Sequence, residues 1–194
     1  RCVRIDCTNG ETFLADACII TVPIGVLQAN SIQFVPRPPS VITSVCSTLK
    51  LGLMNLVWLW FPEVFWPEEC NFLGVARDAG AYTATADASQ EGGCQLETDD
   101  VKFTTFLIPP MYDNCGVRQP VLMCQIVGPY ATTIESMSDA DIAAAATTTL
   151  RAMFGAEKVP DPIGCAHSQW GSDPFSKGSW SYFPYRAGNS SVVS

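Results

Sequence analysis

Residues that could do chemistry are sparse in this chain, and their types narrow the options quickly. His167 is the only histidine among 194 residues, so no nucleophile–base pair built on histidine can be assembled. A lone histidine in an apolar strand reads as a structural residue rather than a general base. Nine cysteines are many for this length, yet there is no C-x-x-C, and one histidine leaves no Cys2His2 zinc site. Cys18, Cys46, Cys124 and Cys165 lie in apolar segments and read as small buried hydrophobes. Cys70, Cys94 and Cys115 lie in polar, loop-like sequence and could pair in an oxidising compartment. The glycine-rich dinucleotide fingerprint, the P-loop, H-E-x-x-H and G-x-S-x-G are all missing. What the chain does concentrate, near its C-terminus, is aromatic surface: Trp170, Trp180, Tyr182 and Phe183. Such rings are apolar, rigid and favourable to cations, yet residue type alone favours reading Trp180, Tyr182 and Phe183 as ordinary core.

Composition agrees with a folded domain and excludes several partners. The hydrophobic fraction of 47% is far above that of a disordered chain. The net charge of −8 argues against nucleic acid, which requires clustered Lys and Arg, and would attract cationic ligands such as amines only weakly. No apolar run reaches about 18 residues, so no membrane span is expected. Arg1 has the look of a cut rather than a start, with no initiator Met or leader, and Gly188–Ser194 stops without a closing element. The Asn189-Ser-Ser sequon matters only in a secreted protein.

The elements that must position those residues alternate strand and helix. Cys2–Cys7 and Thr12–Leu14 flank Asn9-Gly10, a hairpin with a type I′ turn. Ala17–Val22 reads as a buried strand, followed by Pro23 at the first turn of a short helix over Ile24–Leu27. After Pro36, Pro38 and Pro39 a helix is expected over Ser40–Leu49. Leu51–Phe61 reads as one long strand, ended by Phe61-Pro62 and Trp66-Pro67. Asp78–Val101 is small, polar and acidic, a surface loop or insertion. Lys102–Ile108, Pro120–Val127 and Ile163–Trp170 read as strands. Ser138 and Asp141 form a capping-box-like start to a helix whose apolar stripe is Ile142, Ala146, Leu150, Met153 and Phe154, closed by Gly155.

Three segments carry a specific resemblance. Ala15-Asp-Ala-Cys-Ile-Ile-Thr-Val-Pro-Ile-Gly-Val-Leu27, with Ser31-Ile-Gln-Phe34 and Pro36, resembles the strand and turn by which flavin amine oxidases leave their FAD domain. That family includes polyamine oxidases, monoamine oxidases and lysine-specific histone demethylases. Leu51-Gly-Leu-Met-Asn55 through Phe65-Trp66 resembles its central substrate-domain strand. Trp170-Gly-Ser-Asp-Pro-Phe-Ser-Lys-Gly-Ser-Trp-Ser-Tyr182 is similar to its W-x-x-D-P-x-x-x-G-S-Y-S-Y segment. Together with weaker similarity over Pro120–Phe154, the match covers nearly all of the chain outside Asp78–Val101.

The resemblance implies an α/β (α+β) fold, a mixed β-sheet flanked by helices. It implies a remnant of the FAD-binding domain at 1–27, a substrate-binding domain at 28–168 and a segment returning to the flavin at 169–194. It implies that Trp180 stands where the family has a cage-wall Tyr, with Tyr182 also against the substrate, and that Trp170, Thr21 and Pro23 lie near the flavin. Thr21 and Pro23 could as well simply end a strand. Ser179 matches the position at which monoamine oxidases attach flavin through Cys, so FAD would be held non-covalently. The implied reaction is oxidation of a small amine, polyamines foremost, to an imine, in which the cofactor supplies the electronics and the protein desolvates and orients the substrate.

Two departures bear on activity. The family usually places Lys where this chain has Leu56, and Leu56 cannot hold a water or supply charge there. Lys50, six residues earlier, would be about 20 Å away along an extended strand. The family's dinucleotide fingerprint would lie upstream of Arg1 and its last flavin-contacting motif beyond Ser194, so the chain alone should bind FAD poorly. A rival reading is a non-catalytic binding or interaction module that lost the lysine, with Asp78–Val101 as its partner loop. Oxidation of an amino acid would need an Arg to clasp a carboxylate; Arg77, Arg118 and Arg151 all sit in loop-like or solvent-facing sequence.

Overall fold

The computed structural model describes residues 2–67, 69–75 and 102–184. The Asp78–Val101 segment, Arg77 and Cys94 lie outside the described residues.

The core is a five-stranded sheet in the order β5-β6-β7-β4-β8, formed by β4 (Met54–Trp60), β5 (Phe72–Gly74), β6 (Thr105–Leu107), β7 (Val121–Val127) and β8 (Gly164–His167). All of its ladders are antiparallel. Period-two alternation gives the sheet two different faces. On one face Leu73, Phe106, Cys124, Val57 and His167 stand in a row across the strands. There α4 (Asp139–Phe154) and α3 (Pro129–Ile134) close the core with Ala131, Ile134, Ile142, Ala146 and Leu150. On the other face the register lines up Trp58 with Met123 and Ala166, and Leu56 with Gln125. This face is only half-buried. Phe61, Phe65, Trp66 and Phe154 extend the core by edge-to-face contacts.

Local sequence explains α4 well. Ser138 Oγ accepts from Asp141 N at 3.1 Å and donates to Asp141 Oδ2 at 2.7 Å, and Gly155 ends the helix at φ 95°, a conformation that side chains resist. The hairpin forms, β1 (Val3–Asp6) pairing with β2 (Thr12–Ala15), but its turn is not the expected type I′, which needs a positive φ at both central residues: Gly10 has one, at 89°, and Asn9 does not. The short helix after Pro23 is α1 (Ile24–Gln28), and the helix after the prolines is α2 (Ser40–Thr48).

Three further expectations are corrected. Ala17–Val22 is neither a strand nor buried: Ile19 is 88% and Ile20 54% exposed, because no described strand lies beside it to take its backbone hydrogen bonds. Leu51–Phe61 is not one strand but two, β3 (Lys50–Gly52) and β4, which belong to different sheets. The change falls at Leu53, where the chain passes from pairing with β9 (Trp180–Tyr182) to pairing with β7 and β8. Among the cysteines read as buried, Cys124 is buried and Cys46 and Cys165 half-buried, but Cys18 is exposed on the unpaired stretch. Burial pushes the Cys124 thiol up to about 12, and burial together with nearby Asp139 pushes Cys165 up to about 11. Both shifts disfavour the thiolate, the reactive form. β5, α3 and β9 were not anticipated from the sequence.

Candidate functional site

The three motif segments, far apart in sequence, meet at one place. On α1, a Cβ at Gly25 would lie 2.7 Å from Lys177 O, 2.8 Å from Ser176 O and 2.9 Å from Leu51 Cδ1. Such contacts are impossible without a shift, so glycine allows the Pro23–Leu27 turn to lie directly on the Ser176–Lys177 backbone. Gly178, at φ 138°, packs against the Leu51 side chain from the same segment. The following residues form β9, which pairs antiparallel with β3 and sets Trp180 opposite Gly52 and Tyr182 opposite Lys50.

The turn before β9 is built by its own side chains. Asp173 accepts hydrogen bonds from Ser176 Oγ and from Phe175 N, and the Ser176 hydroxyl foremost holds its carboxyl below the usual range. Lys177 takes a positive φ of 56°, turning the chain into Gly178 and Ser179. Ser179 Oγ donates to Met54 O at 2.8 Å and accepts from Met54 N at 3.0 Å. The hydroxyl thus sits at the junction of β3 and β4 and takes up both the N–H and the carbonyl of Met54.

The neighbouring residue anchors the other end of the segment. Asn55 is fully buried on a strand face otherwise made of Val57 and Leu59. Its Nδ2 donates to Ala131 O at 2.9 Å and to Glu135 Oε1 at 2.7 Å. Its Oδ1 accepts from Ser168 Oγ at 3.0 Å and from Trp170 N at 3.1 Å. Glu135 in turn accepts from Gly171 N and Ser172 N, each at 2.8 Å. Burial by itself raises the Glu135 carboxyl, but the hydrogen bonds from Asn55, Gly171 and Ser172 outweigh it and hold the group below its ordinary value. Neither Asn55 nor Glu135 stood out from sequence; the only available signal was a polar residue interrupting an apolar strand.

The residues expected at the site are placed as follows. Trp170, Trp180 and Tyr182 are 43%, 62% and 51% exposed, and Phe183 is exposed as well, so they are not core aromatics. Thr21 and Pro23 are exposed on the stretch leading into α1. Leu56 points to the half-open face of the sheet, opposite to Asn55; its N–H is held by Ser168 Oγ at 2.8 Å and its carbonyl by Ser168 N at 2.9 Å. Lys50 is exposed on β3, in the other sheet. His167 Nδ1 lies 2.7 Å from Asp139 Oδ1. Gln169 Nε2, which donates to Glu135 O, lies 3.2 Å from His167 Nε2. Arg151 is committed to Asp161 and Val159 O, and Arg118 sits in a β-bridge with Tyr112.

A separate cleft of about 510 Å³ opens between α1, α2 and β3. It shares Lys50 and Leu51 with the strand facing β9 but includes none of Trp170, Ser179, Trp180 or Tyr182. Among the described residues no group of His, Cys, Asp or Glu could hold a metal ion, and no helix is long and apolar enough to cross a membrane.

Comparison with known proteins matches residues 1–192 to the flavin containing amine oxidoreductase model. Polyamine oxidase 2 of Arabidopsis thaliana is 34% identical over 180 residues, 93% of this chain and 31% of that protein. Lysine-specific histone demethylase 1 homolog 3 of the same plant is 33% identical over 180 residues, 93% of this chain and 10% of that protein. The chain therefore spans a third or less of these relatives. Among solved structures, putrescine oxidase with putrescine bound aligns over 91% of this chain and 33% of its own, with TM-score 0.62 at 15% identity, a likeness of fold.

Proposed function

This chain belongs to the flavin containing amine oxidoreductase family, and we propose that it supplies the substrate-binding part of an enzyme that oxidises an amine to an imine, using non-covalently held FAD. In this reading residues 1–27 are a piece of the flavin domain, 28–168 are the substrate domain and 169–194 return to the flavin. Polyamines are the substrate class, supported by the polyamine oxidases among its relatives. The observation that carries the reading is the convergence of the three motifs at Gly25, Leu51 and Ser176–Ser179, beside aromatic rings left open to solvent.

The residues present fit the ring end of a flavin. Trp170, Trp180, Tyr182, Thr21 and Pro23 offer exposed, uncharged aromatic and hydroxyl surface. The phosphates would need a glycine-rich strand-to-helix turn, which is not found among the described residues. A bound flavin would supply the acceptor for the hydride equivalent leaving the carbon beside nitrogen, with oxygen reoxidising it to give peroxide. The chain's own work is to exclude water from the amine and press it into an aromatic cage. Trp180 and Tyr182 favour the cationic amine as it arrives. Ser179, with its hydroxyl spent on Met54, has no sulfur with which to bind a flavin covalently.

Joined to the flavin-domain segments of a polyamine oxidase, the chain is expected to release peroxide with spermine or spermidine. Acid precipitation should leave the flavin in the supernatant. Absence of flavin bleaching by either amine under anaerobic conditions would overturn the reading, and a yellow pellet would overturn the non-covalent attachment.

Leu56 favours a second reading, a family member that keeps the fold as a binding module without turnover. Its side chain is on the half-open face, so a lysine can be accommodated there. Appearance of amine oxidation only on Leu56→Lys would select this reading; turnover with Leu56 in place would exclude it.

A further inference from the structure

We propose that Asn55 and Glu135 are positioning residues that fasten the Trp170–Ser172 turn to the central strand and thereby set where Trp170 and Trp180 stand. That these rings face a flavin rests on the function proposed above; that the pair fixes the turn does not.

Asn55 occupies a place on β4 where the pattern calls for an aliphatic side chain, between helix α3 and the sheet. A fully buried amide is costly unless its hydrogen-bonding capacity is met. Here both donors and both acceptor sites are used, and the four partners come from α3, the residue after it, the end of β8 and the backbone of Trp170. Such an amide is a junction rather than a packing unit. Glu135 completes it by gathering the next two amides, Gly171 N and Ser172 N. Charged acceptors make the stronger hydrogen bonds. The turn is closed down on this carboxylate: a Cβ at Gly171 would sit 3.0 and 3.1 Å from its oxygens and 3.2 Å from Leu53 Cδ2.

The fastening reaches Trp180 by two routes. Trp170 O accepts from Gly178 N at 2.8 Å, which ties the start of the segment to the residue two before Trp180. Ser179, just before Trp180, is bound to the peptide group of Met54. Consecutive residues of one strand, Met54 and Asn55, thus hold the two ends of the Trp170–Ser179 segment. The third, Leu56, is tied to Ser168 by backbone and side chain. The spacing between the two tryptophans is therefore referenced to the strand that also carries position 56.

The test uses Glu135→Gln, a substitution at a half-buried position, with Asn55→Asp as the second variant, which opposes two carboxylates. Amide hydrogen exchange is followed residue by residue in the 194-residue chain, and flavin reduction is followed in the flavin-domain fusion. The clamp predicts that Glu135→Gln speeds exchange at Gly171 and Ser172 by about tenfold or more, the loss expected for hydrogen bonds to a charged acceptor, while the β4–β7 ladder keeps its protection. Asn55→Asp, which replaces the donor to Glu135 by a second carboxylate, should also speed exchange at Gly171 and Ser172. In the fusion, the limiting rate of flavin reduction should fall by about tenfold with KM changed much less, the signature of lost positioning. Unchanged exchange at Gly171 and Ser172 in Glu135→Gln overturns the clamp. So does collapse of the whole sheet in that variant, since the pair would then support the core rather than the turn. Faster exchange with an unaltered reduction rate overturns the link to the rings. A fusion that never reduces flavin, wild type included, counts against the proposed function, while the exchange arm still decides the clamp.

Discussion

Two stretches of similar apolar character meet opposite fates. Leu53–Phe61 contains β4, whose Val57 and Leu59 are fully buried between β7, β8 and the helices. Ala17–Val22 is just as hydrophobic, yet it pairs with nothing among the described residues, and Ile19 and Ile20 lie open. The difference lies in partners, not in composition. Apolar sequence states that a segment needs covering, and only the ladders on either side decide whether it is covered. The candidate site is assembled where these two situations meet. Its scaffold hangs on the buried strand, while its aromatic rings and the Thr21–Pro23 approach remain exposed.

Truncation on each side measures the contrast. Leu59→Ala should cost about 2–5 kcal/mol, as removal of a fully buried leucine from a packed core does, read from the midpoint of denaturant unfolding. A loss below about 1 kcal/mol would mean that the sheet can collapse around the gap. Ser138→Ala should cost about 1 kcal/mol by removing the N-cap of α4, and Thr at that position should recover most of it. At the small end, Ile20→Ser should change the stability of this chain by no more than about 0.5 kcal/mol, as an exposed substitution. A large destabilisation there would show that the stretch is covered after all.

Acid sharpens the contrast further, because the scaffold beside β4 depends on a carboxylate and Ala17–Val22 contains none. The Glu135 carboxyl is held below its ordinary value of 4.5, so its hydrogen bonds contribute stability that is fully present above that value and fades as pH falls through the lower folded-state value. Wild type should lose protection at Gly171 and Ser172 over that acid range, and Glu135→Gln should lose this pH dependence while exchanging faster than wild type above it. An identical acid profile in both proteins would remove Glu135 from the account.

What could be read from sequence follows the range of the interactions involved. Helix α4 was legible because its determinants are local: Ser138 and Asp141 at the start, a stripe at helical spacing and Gly155 at the end. The hairpin was legible from Asn9-Gly10, but its turn type was not. The family was legible because its motifs are strings of neighbours. β9 was not, since its three residues become a strand only by pairing with β3, and Ser179 finds Met54 across 125 residues. The Asn55–Glu135 contact spans 80 residues, and its one local trace is the polar Asn55 inside an apolar strand. The break of Leu51–Phe61 into two strands was hidden for the same reason: the run is apolar apart from Gly52 and Asn55, and only the change of partners at Leu53 divides it. Leu56 shows the reverse case, a single residue whose departure from the family pattern is plain in sequence and whose surroundings in the fold are otherwise unremarkable.

The central claim is that the Trp170–Tyr182 segment presents its rings to a flavin. The most direct measurement is a crystal structure of the flavin-loaded fusion protein with an amine or product analogue bound. The account predicts the Trp180 and Tyr182 rings lining the space before the flavin ring, Trp170 beside that ring, and no covalent bond from Ser179. A flavin ring lodged elsewhere, with Trp180 turned to bulk solvent or folded into aliphatic packing, would contradict it.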